Sequence, residues 1–139
     1  MGEHFFSTTI RVRYSETDQM GVVYHGNYIN WFEIGRTEMF RQFGQSYRDA
    51  EEMGLKMPVL NVSCHYLLPA LYDDLVEVHT KLTSYTGVKL SFLYEIRRGE
   101  ELLVRGESTH CWTNQDLKPV HLKKKWPELH EYMISLVSS

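Results

Sequence analysis

Apolar and polar positions repeat with two different periods along this chain, and the change of period outlines the fold. Residues 6–14 are rich in Thr, Ile, Val and Phe, side chains that suit a pleated, half-buried strand. From Tyr28 onward the repeat becomes helical, with Tyr28, Phe32, Gly35, Met39 and Phe43 on one stripe. Ile29, Trp31 and Ile34 add apolar surface on the flanks, so the predicted helix is apolar around most of its girth. Such a helix is buried on several sides, and a sheet wrapped around it would do this. Gly35 leaves room for a close backbone or ligand, at a cost of about 1 kcal/mol in helix propensity. Gly44 is the predicted stop.

Residues 46–53 predict a short second helix ended by Gly54. Beyond Pro58 the period falls to two. Residues 59–68 read as a strand, followed by the turn-like stretch from Pro69 to Asp74. Residues 75–85 alternate, with Val76, Val78, Thr80 and Leu82 on one face and Glu77, His79 and Lys81 on the other. Thr86-Gly87 turns the chain into a second alternating run ending at Arg97, and Arg98-Gly99-Glu100 turns it again into residues 102–112. Three strands joined by tight turns form an antiparallel meander. After Pro127, the positions Leu129, Tyr132, Met133, Leu136 and Val137 predict a final amphipathic helix packed on a sheet edge. The order is strand, long helix, then antiparallel strands: an α+β layout around one central helix.

A length of 139 residues suits a single domain with a real core, and no repeat or linker divides it. The net charge of −3 gives no reason to expect nucleic acid as a partner. The aromatic share of 13% fits a chain that buries rings in a core or lines an apolar pocket. Two cysteines, Cys64 and Cys111, are too few for a disulfide scaffold, and no signal peptide or membrane-length apolar run is visible. Cytoplasm is the default expectation, without membrane insertion.

Candidate chemistry concentrates between the first strand and the helix. The segment Tyr14-Ser-Glu-Thr-Asp18-Gln-Met-Gly21-Val22-Val23-Tyr24-His25-Gly-Asn27-Tyr28 places a carboxylate, a glycine bend, a histidine and a helix N-terminus in one connection. Asp18 can act as base or nucleophile, or simply cap a local amide as loop aspartates do. The amides opening a helix have no intrahelical acceptor and can bind a developing oxyanion. His25 offers its backbone amide, its imidazole, or only a place in a subunit contact. Asn27 fits a helix N-cap, Tyr24 suits a pocket wall, and Gly21 and Gly26 serve backbone geometry. Glu16 would point away from Asp18 on an extended chain and reads either as a support behind the site or as solvent-facing, while Glu33, the other candidate carboxylate, is expected to pair with Arg36 or another buried donor.

Asp18, Gly21, Val22-Val23, Tyr24-His25 and Asn27-Tyr28, followed by Trp31-Phe-Glu33-Ile-Gly-Arg36-Thr-Glu38, resemble the signature of hotdog-fold acyl-CoA thioesterases. The nearest groups are the 4-hydroxybenzoyl-CoA thioesterases and the small bacterial thioesterases encoded beside the Tol–Pal system. The resemblance implies an antiparallel sheet wrapped around one long helix across residues 1–139. It implies hydrolysis of an acyl thioester, on coenzyme A or acyl carrier protein, without metal or organic cofactor. It makes Asp18 the catalytic carboxylate and places the His25 amide against the thioester carbonyl, with Gly21, Val22, Val23, Tyr24 and Asn27 around the substrate. It also implies a site built between two subunits, hence a homodimer or a dimer of dimers.

Lys89 and Ser91, with Arg97-Arg98 and Lys123 to Lys125, are candidates for the coenzyme A phosphates; singly, each reads as a solvated edge residue. Cys64-His65 and His110-Cys111 lack zinc spacing, and strand neighbours face opposite sides. Two other readings use the same residues. A hotdog dehydratase or hydratase would employ Asp18 and His25 as a dyad, and a non-catalytic module would only bind acyl-CoA.

Overall fold

The structure is a computed structural model that describes residues 5–138. Five strands form one sheet: β1 (Phe6–Arg11), β2 (Val59–Tyr66), β3 (Leu75–Tyr85), β4 (Lys89–Arg98) and β5 (Glu101–Cys111). Their spatial order is β1-β3-β4-β5-β2, and every neighbouring pair is antiparallel. The meander β3-β4-β5 is therefore the centre of the sheet, with β1 and β2 on opposite edges.

Helix α1 (Asn27–Arg41) lies across the apolar face of this sheet. The buried alternate residues Val76, Val78, Leu82, Leu90, Phe92, Tyr94 and Ile96 meet Tyr28, Trp31, Phe32, Met39 and Phe40 from the helix. Burying each such side chain contributes about 1.5–3 kcal/mol, so this contact dominates the fold. Phe32 stacks on Tyr94 with ring centroids 4.3 Å apart. Gly35 sits where a Cβ would run into Thr80 and Val78, so the glycine lets the helix backbone settle onto β3.

The sheet covers one side of α1 only. Asn30, Glu33, Ile34 and Thr37 stay exposed, and Ile29 is also exposed, which corrects the expectation of apolar cover around most of the helix. The expected Glu33–Arg36 pair does not form: Arg36 reaches beneath the helix and donates to the Tyr94 hydroxyl at 3.4 Å. That contact opens a buried polar chain. The Tyr94 hydroxyl bonds Ser108 Oγ at 2.6 Å, and Ser108 Oγ bonds His110 Nε2 at 2.7 Å. Burial, aided by the Arg36 charge, pushes the His110 pKa down to about 4.

Helix α2 (Gln45–Glu52) and the short α3 (Leu122–Lys125) precede α4 (Pro127–Ser138). The last helix packs against β3 and the end of α1, where Tyr132 donates to the Met39 carbonyl at 3.0 Å. It therefore does not sit on a sheet edge: β3 is an inner strand. The outer sheet face is polar, with Glu95 paired to Arg97 at 2.9 Å and to Arg105 at 3.3 Å. Among the described residues no helix is long and apolar enough to cross a membrane.

Candidate active site

β1 delivers the chain into a single 3-10 turn, Tyr14–Glu16, and then into a compact loop that ends at α1. Within that loop Asp18 N–H donates to the Val22 carbonyl at 2.8 Å, and Gly21 N–H donates to the Asp18 carbonyl at 3.0 Å. Gly21 adopts φ +83°, a conformation in which a side chain is strained, and this bend returns Val22 and Val23 towards the fold. Val22 bridges Leu71 and Val23 bridges Thr17, so the loop is stitched to the 67–74 connection as well as to itself.

Asp18 is half-buried. Its Oδ1 accepts the Met20 amide at 2.8 Å, an Asx turn that orients the carboxylate. Oδ2 has no hydrogen bond among the described residues. The carboxylate lies close enough to Tyr28 for its charge to help, after burial, in raising that phenol's pKa.

The start of α1 differs from the expected cap. Gly26, not Asn27, occupies the N-cap position, and no side chain caps the helix there. Asn27 instead donates its Nδ2 to the Glu16 carbonyl at 2.8 Å, tying helix to loop. Gly26 leaves room for the Tyr24 ring, 2.9 Å from where a Cβ would stand. Among the described residues the His25 and Gly26 amides have no hydrogen-bond acceptor. Unpaired amides at the positive end of a 15-residue helix favour an oxyanion.

His25 lies beside the Tyr24 and Tyr66 rings, with centroids 4.5 and 6.1 Å away. The Tyr66 hydroxyl donates to the His25 carbonyl at 3.4 Å. A shallow pocket of about 230 Å³ opens here, walled by Val23, His25, Tyr28, Tyr66 and residues 67–69. Tyr28 also accepts the Ala70 amide at 3.0 Å, and Arg98 binds Asp74 at 2.7 Å and the Pro69 carbonyl at 3.3 Å. These bonds hold the far wall in place. Val23 and His25 thus line the cavity, Asp18, Gly21 and Val22 shape the loop beside it, and Tyr24 stays half-exposed at the rim.

Two groups fall elsewhere. Lys89 and Ser91 stand at the far end of β4, whereas the Asp18 loop adjoins the Arg97 end through the β1–β3 and β3–β4 pairings. At the rise of a strand, that is a separation of roughly 20–30 Å within one chain. Glu33 is exposed on the open side of α1 and takes no part in the pocket. Tyr66 and the 67–69 wall carry no local motif. Only the pairing of β2 with β5, and of Val22 with Leu71, brings them to His25.

A five-stranded antiparallel sheet laid over one helix, with an acidic loop feeding the helix start, is the hotdog fold of thioesterases. The chain belongs to the Thioesterase superfamily, which its residues 20–110 match. It is 38% identical over 129 residues to a Bacillus subtilis (strain 168) protein with the provisional name acyl-CoA thioesterase YneP, covering 91% of this chain and 94% of that one. The Escherichia coli O6:H1 acyl-CoA thioester hydrolase YbgC is 37% identical over 106 residues, covering 75% and 78%. Among solved structures, a DHNA-CoA thioesterase from Staphylococcus aureus superposes with a TM-score of 0.89 at 35% identity, covering 96% of this chain and 91% of that one.

Proposed function

We propose that this chain, one hotdog domain over residues 1–139, is a thioester hydrolase that cleaves acyl-CoA to a free carboxylic acid and coenzyme A. One juxtaposition carries the reading: an oriented carboxylate with an open oxygen, Asp18 Oδ2, in the same loop as two unpaired amides at a helix N-terminus. The thioester carbonyl oxygen accepts from the His25 and Gly26 amides, which stabilise the charge that develops as the carbonyl carbon becomes tetrahedral. Asp18 either takes a proton from water as it adds, or adds to the carbon itself to give an anhydride that water opens. In both routes the C–S bond breaks and the thiolate leaves with a proton. Val22, Val23, Tyr24 and Asn27 position the acyl arm and the loop, and the Tyr28–Tyr66 wall receives the acyl group. No metal or organic cofactor is needed for these steps.

The site is proposed to lie between two chains. Edge strand β2 pairs on one side only, and its Val59, Leu60, Val62 and Tyr66 are exposed, continuing into exposed Leu67 and Leu68. An apolar edge of that length is normally covered. Two-fold antiparallel pairing of β2 with its copy would set the partner's sheet end, with the Lys89 and Ser91 of its own chain, towards this Asp18 loop. That supplies a way for those residues to reach the coenzyme A phosphates. A dimer of dimers is a further step that the same edge does not require.

The test is thiol release from a panel of aromatic, short, medium and long acyl-CoAs, with acyl carrier protein thioesters as a separate arm. The S. aureus structural relative, a DHNA-CoA thioesterase, recommends a naphthoyl-type thioester for the aromatic arm. Asp18→Asn should keep its fold while kcat falls by at least about a hundredfold, the scale of general-base catalysis. A folded Asp18→Asn protein with near-parent kcat would refute the assignment of that residue.

A further inference from the structure

Glu16 is the one buried carboxylate among the described buried polar residues, at 9% exposure, and the reaction above makes no use of it. On an extended chain it would point away from Asp18 into solvent. The 3-10 turn instead folds its side chain inward. Oε1 accepts the Arg13 amide at 2.8 Å, Oε2 accepts the Trp31 indole N–H at 3.0 Å, and the Arg13 guanidinium lies 3.6 Å away. Burial alone would raise its pKa, but these hydrogen bonds and the Arg13 charge outweigh it and hold the carboxyl below its ordinary value. The residue is a fixed anion at neutral pH.

Its main chain is equally engaged. The Glu16 carbonyl accepts Tyr24 N–H at 2.9 Å and Asn27 Nδ2 at 2.8 Å. One residue therefore joins the exit of β1, the turn that presents His25, and the first two turns of α1 through Asn27 and the fully buried Trp31. Asp18 follows two residues later, and the His25 and Gly26 amides directly follow Tyr24.

We propose that Glu16 is a positioning residue: its carboxylate, held by the Arg13 amide and the Trp31 indole, fixes the 3-10 turn against α1 and so sets the separation between the Asp18 carboxylate and the helix-start amides. The proposal rests on the hydrolase reading of that loop. A buried anion is a poor way to add stability, since an apolar side chain of similar size often does as well. Directional bonds from the carboxylate to one indole and one backbone amide fix geometry, and hydrolysis is sensitive to geometry: a misplacement of about 1 Å can cost about a hundredfold in rate.

Glu16→Gln keeps size but turns an N–H donor towards a site that receives only donors. Steady-state thiol release should give kcat at least about tenfold below the parent with KM within about threefold, because the misalignment acts in the transition state. Tyr132→Phe, which loses a helix-docking bond remote from the loop, serves as the control for stability loss and should keep the parent kcat. If Glu16→Gln does not fold, Trp31→Phe removes the indole donor together with part of a buried ring, and the folded variant should still show kcat lowered by about fivefold at near-constant KM. A folded Glu16→Gln with kcat within about twofold of the parent overturns the proposal, as does a loss confined to KM. With Glu16→Gln unfolded, a Trp31→Phe protein at parent kcat overturns it too. A parent that releases thiol from no substrate removes the hydrolase reading and this inference together, and is told apart by the parent assay alone.

Discussion

Acid should loosen this protein through a single core histidine. His110 is fully buried at the end of the Arg36–Tyr94–Ser108 chain, and its pKa is pushed from 6.5 down to about 4. Between those values the unfolded chain binds a proton that the folded chain refuses, so stability falls as pH falls. The contribution is intact above about pH 6.5, declines through the window, and is fully lost near pH 4, for a total of about 3 kcal/mol at 1.36 kcal/mol per pKa unit. From about pH 7.5 to about pH 5 the same linkage gives about 2 kcal/mol. Glu16 acts in the same direction but at lower pH: its depressed pKa stabilises the fold above the ordinary carboxylate range and is lost as pH drops through the folded value. Urea unfolding at the two pH values, followed by circular dichroism at fixed protein concentration, measures the slope. His110→Gln can still bond Ser108 but does not titrate, so it should lose about 2 kcal/mol less than the parent over the interval. Equal losses in the two proteins, within about 0.5 kcal/mol, would refute the reasoning whatever the variant's stability at neutral pH.

His25→Ala keeps the backbone amide and should lower kcat less than Asp18→Asn. His25→Pro deletes the donor and should cost about 3–4 kcal/mol of transition-state stabilisation, with circular dichroism checking the helix start; equal, total loss in both would transfer the role to the imidazole. Gly35→Ala sets overpacking against Thr80 and Val78, about 1–3 kcal/mol, against about 1 kcal/mol of regained helix propensity. Thermal unfolding should therefore show a net loss of up to about 2 kcal/mol, and a clear rise in midpoint would contradict the close approach. Val62→Lys places a charge on the open face of β2 and should yield an inactive monomer by sedimentation velocity; an active species of about 16 kDa would defeat the shared-site arrangement.

Local patterning made the meander legible. Alternation placed β3 at residues 75–85, where it stands, and put β4 and β5 within a residue at each end. The helix at Asn27–Arg41 was visible for the same reason, since its buried stripe repeats at helical spacing. Sheet order was not legible, because nothing in Phe6–Arg11 or Val59–Tyr66 says which edge each will take. The pocket wall failed with it: Tyr66 reaches His25 only once β2 has found β5. The sequence leaves Glu16 open between a place behind the site and one in solvent, and the cause is purely local. An extended chain would have turned it outward, and the 3-10 turn reversed it towards an indole fifteen positions away. Arg36 likewise left its helical neighbour for a hydroxyl on β4, where burial favours a phenol already held by Ser108. The motif from Asp18 to Tyr28 located the loop, but the Asx turn, the open Oδ2 and the unpaired amides needed coordinates.

Strand order also governs when this chain can finish folding. β2 is made before β3, β4 and β5, yet its sole neighbour in the chain is β5, the last strand to be synthesised. β3, β4 and β5 need only short turns to pair, so they are the low-cost nucleus, while β2 must wait for a partner about forty residues away. Until then an apolar strand and its Leu67-Leu68 extension remain without a ladder, open to other nascent chains. The edge proposed to meet a second subunit is thus also the last to gain its partner within the chain, and slow closure of β2 onto β5 would hold back any such assembly, and with it activity.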